Sequence, residues 1–242
     1  MAPDRQPPAS AEVPRPATRD ARALVVVAKY PQPGQVKTRL AAAIGPAAAC
    51  ALYRAFLGDL EERLSAAGYP PLWAYTPTEA PFAAVVAAPA RCFPQVGPDL
   101  NARLRNVFRA LLAAGWRQVA IVSSDIPHLP LGWLAEAYAA LERHDLVLGP
   151  ADDGGYSLIA MAAAHEVFDG VAMGSERVLA QTLALADALR LRTRLLGSIF
   201  DVDEPADLAR LAAALRDPAL AATLPRTARV LGELGVTAGA RS

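Results

Sequence analysis

Gln118-Val-Ala-Ile-Val-Ser-Ser-Asp125 is the stretch that decides how this chain folds. Its centre, residues 119–122, is a short apolar run rich in β-branched side chains, which is how a strand buried on both faces reads. The run ends in three polar residues, so the chain leaves the sheet carrying chemistry. Upstream, the pattern predicts a helix over about 100–114, short strands at 91–95 and 71–76, and a long helix from about Ala47 to Ala67. Before these come a Pro/Gly loop at 31–36 and a second apolar run, Ala23-Leu-Val-Val-Val-Ala28. Downstream, a helix is expected at about 131–143, strands at 145–149 and 156–160, a helix at about 175–190 and a strand at about 193–199. Helices near 205–215 and 225–234 close the chain. Alternating strands and helices predict an α/β fold, a mostly parallel sheet with helices on both faces and right-handed crossovers. Ligands of such sheets sit beyond the carboxyl ends of the strands. The loops to read are therefore 29–39, 95–103, 123–130, 149–156 and 200–205.

Composition narrows the classes. With 53% apolar residues the chain has ample core material, and no apolar run is long enough to span a bilayer. Net charge is zero, so there is no general electrostatic footprint for nucleic acid. Residues 1–21 are rich in Pro and Arg with no apolar run, and are expected to form a disordered tail. They lack the apolar core of a signal peptide, which points to the cytoplasm. Residues 22–242 are then expected to make one domain. Cys50 and Cys92 show no ligand spacing and read as small residues in a reducing compartment. Of the 24 basic residues only Lys29 and Lys37 are lysines. Two lysines within nine residues, against an arginine background, make the first loop a candidate site, because ammonium and guanidinium groups work differently at a phosphate.

That loop runs Lys29-Tyr-Pro-Gln-Pro-Gly-Gln-Val-Lys-Thr-Arg-Leu40. It places Lys37, Thr38 and Arg39 where a helix begins, with Lys29 and Gly34 ahead of them, a composition suited to cradling phosphate. It is not a Walker A loop, since Val36 rather than Gly precedes the Lys-Thr pair. Asp125, at the end of the deciding strand, is a candidate ligand for Mg²⁺ or Mn²⁺, and His128 in the following turn is a weaker candidate. In Gly149-Pro-Ala-Asp-Asp-Gly-Gly-Tyr156 the Asp-Gly pair predicts a hairpin turn. It would present Asp152 or Asp153, with Gly154, Gly155 and Tyr156, to an acceptor. Asp201 and Asp203 alternate, so on an extended segment they would point the same way and share a metal with Asp125. In Phe93-Pro-Gln-Val-Gly-Pro-Asp-Leu-Asn-Ala-Arg103, Gln95 and Gly97 are candidates for contacting the nucleotide.

In order, Pro-x-Pro-Gly-x-Val-Lys-Thr-Arg-Leu, Gln-x-Gly-x-Asp-Leu, Ser-Asp-x-Pro-x-Leu-Pro, Gly-Pro-x-x-Asp-Gly-Gly-Tyr and Asp-Val-Asp-x-Pro-x-Asp-Leu resemble the DUF2064 proteins. These are also called rSAM/selenodomain-associated transferase 1, or arsenosugar-biosynthesis-type glycosyltransferases. The resemblance covers about residues 23–215 and implies the Rossmann-like GT-A fold of the nucleotide-diphospho-sugar transferase superfamily. Asn101 departs from it, standing where Gly is expected. The first loop is also similar to that of 2-phospholactate guanylyltransferases.

Three functions follow as expectations. The first is metal-dependent glycosyl transfer from a nucleotide sugar to a small-molecule acceptor. The second is nucleotidyl transfer from a nucleoside triphosphate to a phosphorylated small molecule, with release of pyrophosphate. The third is nucleotide binding without catalysis. In either transferase Lys37, Arg39, Asp125 and Asp153 carry the chemistry: the cations and metal offset charge on the leaving phosphate, and the carboxylate handles the acceptor's proton.

Overall fold

The computed structural model describes residues 12–18 and 21–236. Its seven strands are β1 (Arg22–Lys29), β2 (Leu72–Thr76), β3 (Cys92–Pro94), β4 (Gln118–Ser123), β5 (Leu146–Pro150), β6 (Tyr156–Met161) and β7 (Thr193–Leu195). They form one sheet in the order β3-β2-β1-β4-β6-β5-β7. β1 lies parallel to both β2 and β4, β2 to β3, and β5 to β7. β6 alone runs antiparallel, inserted between β4 and β5. The reason is local: the loop from β5 to β6 is too short for a crossover, which needs a dozen residues or more, so the strands can only form a hairpin.

Period-two alternation in β1 sends Leu24, Val26 and Ala28 into the apolar layer on one face, and Ala23 and Val25 into the layer on the other. The first layer contains residues of α1 (Thr38–Ile44), α2 (Pro46–Ala66), α4 (Leu131–Ala140), α6 (Pro205–Ala214) and α8 (Pro225–Glu233). The second is built from α3 (Leu100–Ala113) and α5 (Val178–Ala188). A short α7 (Pro218–Ala222) joins α6 to α8. Helix starts follow the chemistry of the sequence. Asp99 accepts from Ala102 N at 2.8 Å to cap α3, and Glu204 and Asp207 form a capping box on α6. Buried Asp59, on α2, accepts from Arg226 N and Thr227 N and so caps α8 across the core. α1 was not anticipated as a separate helix. It ends because Gly45 adopts φ 86° and Pro46 opens α2.

Residues 1–11, 19, 20 and 237–242 lie outside the described residues, and with them much of the tail expected over residues 1–21. Residues 12–18 are anchored rather than free of the body. Val13 packs on the second layer, and Trp116 Nε1 donates to the Pro14 carbonyl at 2.7 Å. An indole N–H beside apolar surface seeks an acceptor, and this proline backbone supplies it. Cys50 and Cys92 are both free thiols, the first buried. Among the described residues no helix is long and apolar enough to cross a membrane.

Candidate active site

A cleft of about 510 Å³ opens at the carboxyl ends of β1, β2 and β4. From the first loop it is lined by Lys29, Lys37, Thr38 and Arg39; from the other loops by Gln95, Arg103, Asp125 and Asp203. Lys37 is the residue at which the chain turns into α1, with left-handed backbone at φ 48°. Its side chain is 3% exposed. Nζ lies 2.5 Å from Asp125 Oδ1, 2.8 Å from Asp203 Oδ1 and 2.8 Å from the Val202 carbonyl. Three acceptors satisfy the three donors of an ammonium. Burial by itself would lower the pKa of Lys37, but Asp125 and then Asp203 outweigh it, so the pKa is raised and the side chain stays charged. Lys37 therefore braces an acidic pair from below, whereas the sequence reading aimed it at phosphate. Arg39 is 68% exposed, with only a long 3.4 Å contact to Glu204, and Lys29 stands exposed at the end of β1.

The frame around this pair is rigid. Ser123 Oγ accepts from Asp125 N, and Val202 N donates to the Asp125 carbonyl. Arg63 donates to the carbonyls of Pro127 and Leu129, fixing the turn after Asp125. Buried Tyr53 bonds Ser124 Oγ at 2.8 Å and accepts from Lys29 N at 3.0 Å. Burial, and then the Asp125 carboxylate, push its phenol well above the usual range.

Several expected residues take other positions. Asp201 and Asp203 do not point the same way, because the chain bends at Val202 and the period-two rule for extended backbone fails. Asp203 meets Lys37, while Asp201 accepts from Ser157 Oγ at 2.8 Å and opens on a neighbouring pocket. Burial pushes the Asp201 carboxyl up to about 7, with Asp125, Asp203 and Asp153 adding to the rise and the Ser157 bond opposing it. Consistent with this parting, among the described residues no three His, Cys, Asp or Glu side chains converge as a metal nest. Of the three aspartates expected to share a metal, only Asp125 and Asp203 meet, both at Lys37. These two carboxylates fit a hard cation by chemistry, since both Oδ1 atoms already converge on the single positive charge of Lys37.

Gly34 and Gly97 do not line the cleft. Gly34 serves a turn at φ 77°. Gly97 lies against the start of α3, where a Cβ would come 2.9 Å from Arg103 N, and its carbonyl accepts from Arg103 Nε. Gln95 is buried and its amide nitrogen is spent on the Ala74 carbonyl at 2.7 Å. Asp152 turns away from the expected acceptor position. It accepts from Ser198 Oγ at 2.6 Å and pairs with Arg210 at 2.5 Å, and both hydrogen bonds hold its carboxyl below the usual range. Gly154 is also structural. Its carbonyl accepts from Leu179 N, and a Cβ there would meet the Glu176 carbonyl. Asp153, Gly155 and Tyr156 line the neighbouring pocket, and burial raises the Tyr156 phenol to about 12. His128 is packed 4.2 Å from the Phe200 ring, with both ring nitrogens unpartnered and its pKa driven down to about 4 by burial, not displayed in a surface turn.

The family described as "uncharacterized protein conserved in bacteria (DUF2064)" matches residues 59–175, which include Gln95, Asp125, Asp153 and Tyr156. A 3-phospho-D-glycerate guanylyltransferase from Phenylobacterium zucineum (strain HLK1) is 35% identical to the chain over 133 residues, 52% of this chain and 61% of that protein. The chain thus spans less than two thirds of that relative. A candidate nucleotide-diphospho-sugar transferase from Desulfovibrio desulfuricans G20 superposes with a TM-score of 0.79 at 29% identity, covering 89% of this chain and 98% of its own. CMP:2-keto-3-deoxy-manno-octonic acid synthetase, solved with CTP, superposes at 0.53 with 9% identity over 82% of this chain and 100% of its own. That last likeness speaks for the fold alone. The fold is accordingly the Rossmann-like α/β fold of nucleotide-diphospho-sugar transferases.

The DUF2064 segment stops before the Asp201–Asp203 bend and starts after the first loop, so the cleft is completed by chain on both sides of it. Asn101, the departure from the family pattern, donates to the Val171 carbonyl at 2.8 Å and ties α3 to the loop before α5. Sequence reasoning missed Tyr53, Ser123, Ser124, Ser157 and the 173–175 segment of the neighbouring pocket. Serine and tyrosine have no signature there. The one available signal was polarity at the end of β4, and it singled out only Asp125.

Proposed function

We propose that the chain transfers a nucleotidyl group from a nucleoside triphosphate to a small hydroxyl-bearing acceptor, releasing pyrophosphate. The observation that carries this reading is the cleft itself. Exposed Lys29 and Arg39 and half-buried Arg103 surround a half-buried acidic pair at the carboxyl ends of the parallel strands. A triphosphate needs several cations at its outer phosphates, where charge builds as pyrophosphate leaves. The guanylyl transfer in the name of the Phenylobacterium relative supports the same reading.

The chemistry balances simply. An acceptor oxygen forms a bond to the α-phosphorus, the bond from that phosphorus to the β-bridging oxygen breaks, and the acceptor's proton passes to a carboxylate. Asp153 and Asp201 line the neighbouring pocket, which supports either carboxylate as the one that takes that proton. Arg39, Lys29 and Arg103 bind and orient the phosphates. Asp125 and Asp203 would hold Mg²⁺ or Mn²⁺, whose charge, when bound, offsets that of the reacting phosphate. Lys37 keeps the two carboxylates converged.

Glycosyl transfer from a nucleotide sugar is the second reading, favoured by the near-complete overlap with the Desulfovibrio protein. Thermal unfolding with GTP, CTP and UDP-glucose, each with and without Mg²⁺, separates the two. A ligand at a hundredfold excess over its Kd stabilises by about 2.7 kcal/mol. A metal-dependent shift with a triphosphate, together with pyrophosphate release, is expected. A shift confined to UDP-glucose would favour glycosyl transfer, and no shift with any nucleotide would overturn both.

A further inference from the structure

The neighbouring pocket has a volume of about 200 Å³ and shares Val27, Leu100 and Ser123 with the cleft. Its polar wall is Asp153, Asp201, Ser157 and Ser175, and apolar side chains such as Leu104, Ile159 and Met173 make up much of the rest. Among the described residues lining it there is no Lys, Arg or His. Three arginines on nearby helices are paired elsewhere. Arg105 pairs with Glu166 and Asp169, Arg109 with Glu166, and Arg210 with Asp152. Arg103 belongs to the cleft, its Nε donating to the Gly97 carbonyl.

Building on the transferase reading above, we propose that this pocket is the acceptor subsite and that it takes an uncharged or cationic hydroxyl compound, excluding phosphorylated and carboxylated ones. Both carboxylates are positioned through one oxygen: Asp153 Oδ1 accepts from Gly155 N at 2.9 Å, and Asp201 Oδ1 from Ser157 Oγ at 2.8 Å. Carboxylate oxygens accept hydrogen bonds, so the two side chains suit the O–H or N–H groups of a polyol or an amine. A phosphate or carboxylate placed here would meet acidic groups across a half-apolar wall, with no guanidinium or ammonium among the lining residues to receive it. A divalent ion between Asp125 and Asp203 would leave Asp153 and Asp201 facing the pocket. The chain thereby parts from its Phenylobacterium relative, whose named substrate, 3-phospho-D-glycerate, carries both a phosphate and a carboxylate.

The test uses the full chain carrying Ser175→Cys and Cys92→Ala, with Met173→Cys as a second position should the first thiol prove closed to the neutral reagent. Thiol modification rates are measured with neutral, cationic (trimethylammonium) and anionic (sulfonate) methanethiosulfonates, each divided by its rate on a free small thiol. The cationic reagent is expected to outpace the anionic one by about tenfold, the size of effect that two nearby carboxylates impose at intermediate dielectric. Adding Asp153→Asn and Asp201→Asn should erase the preference, and millimolar 3-phospho-D-glycerate should leave labelling unchanged. Equal rates, a preference for the anion, or protection by 3-phospho-D-glycerate would overturn the proposal. Cation preference in a chain that no nucleotide stabilises would sink the transferase reading and leave the charge selectivity standing.

Discussion

Lys37 Nζ sits 2.5 Å from Asp125 Oδ1, with Asp203 Oδ1 at 2.8 Å on the same ammonium. The lysine thus stands where the two carboxylates would otherwise converge on a metal ion. It holds two acidic groups close together and would compete with any cation bound between them.

Replacing it tests both roles. Lys37→Met keeps the length and removes the charge, leaving Asp125 and Asp203 uncompensated but partly exposed. A loss of about 1–3 kcal/mol is expected in urea unfolding at neutral pH, below the cost of breaking a fully buried pair because solvent screens these carboxylates. The folded pKa of Lys37 is raised, so its stabilisation is complete below about 10.5 and fades as pH climbs through the higher folded value. Bare Mn²⁺, followed by its electron paramagnetic resonance signal, should bind Lys37→Met more tightly than the parent chain. Weaker binding would show that Lys37 supports the cation site and does not compete with it.

Asp125→Asn keeps the shape and the carbonyl that receives Val202 N. Nucleotide should then stabilise the chain equally with and without Mg²⁺. A metal-dependent shift that survives the substitution would remove Asp125 from the metal site.

His128 makes acid stability titratable. Burial, and then Arg63 and Arg210, lower its pKa to about 4, against a smaller opposing effect of Asp207. In this depressed case the unfolded chain takes up the proton first, so stability drains as pH falls from about 6.5 to about 4 and the loss levels off below. The full loss is about 3 kcal/mol at 1.36 kcal/mol per pH unit. His128→Phe retains the ring contact with Phe200 and should flatten this part of the stability curve. An identical acid limb in both chains would place the titration elsewhere.

Gly154 is expected to tolerate nothing larger. It has φ 87°, and an added Cβ would lie 2.1 Å from the Glu176 carbonyl oxygen, which is backbone and cannot swing aside. Gly154→Ala should cost upwards of about 2 kcal/mol in urea unfolding through strain and displaced backbone. It should also loosen the 175–179 segment in hydrogen exchange, since Leu179 N donates to the Gly154 carbonyl. Gly34→Ala is the useful contrast: it shares a positive φ but has open space around the new methyl.

Much of the architecture was readable from one chain. Apolar runs at 23–28 and 119–122, separated by helical stretches, require a parallel sheet. A parallel sheet in turn puts the loops bearing Lys37, Asp125 and Asp203 at one end of the molecule. That inference is local, resting on side-chain periodicity and on the length of each connection. The hairpin loop at 149–156 was visible in the same way, although the insertion of β6 between β4 and β5 was not, because strand order depends on which apolar faces find each other.

What each side chain does with its neighbours was decided by tertiary contacts alone. Asp152 and Asp153 are adjacent in sequence, yet one is clamped by Ser198 and Arg210 and the other opens on a pocket. Asp201 and Asp203 part at the Val202 bend, which is held by Asp125, 77 residues earlier by numbering. Lys37 finds Asp125 88 residues away, and Val202 and Asp203 165 and 166 residues away. The sequence determined the fold class and which loops meet, since backbone periodicity and connection length are encoded within each segment. Whether a lysine faces a phosphate or two aspartates is settled only when the folded chain brings distant charges within a few ångströms, where burial makes their pairing outweigh solvation.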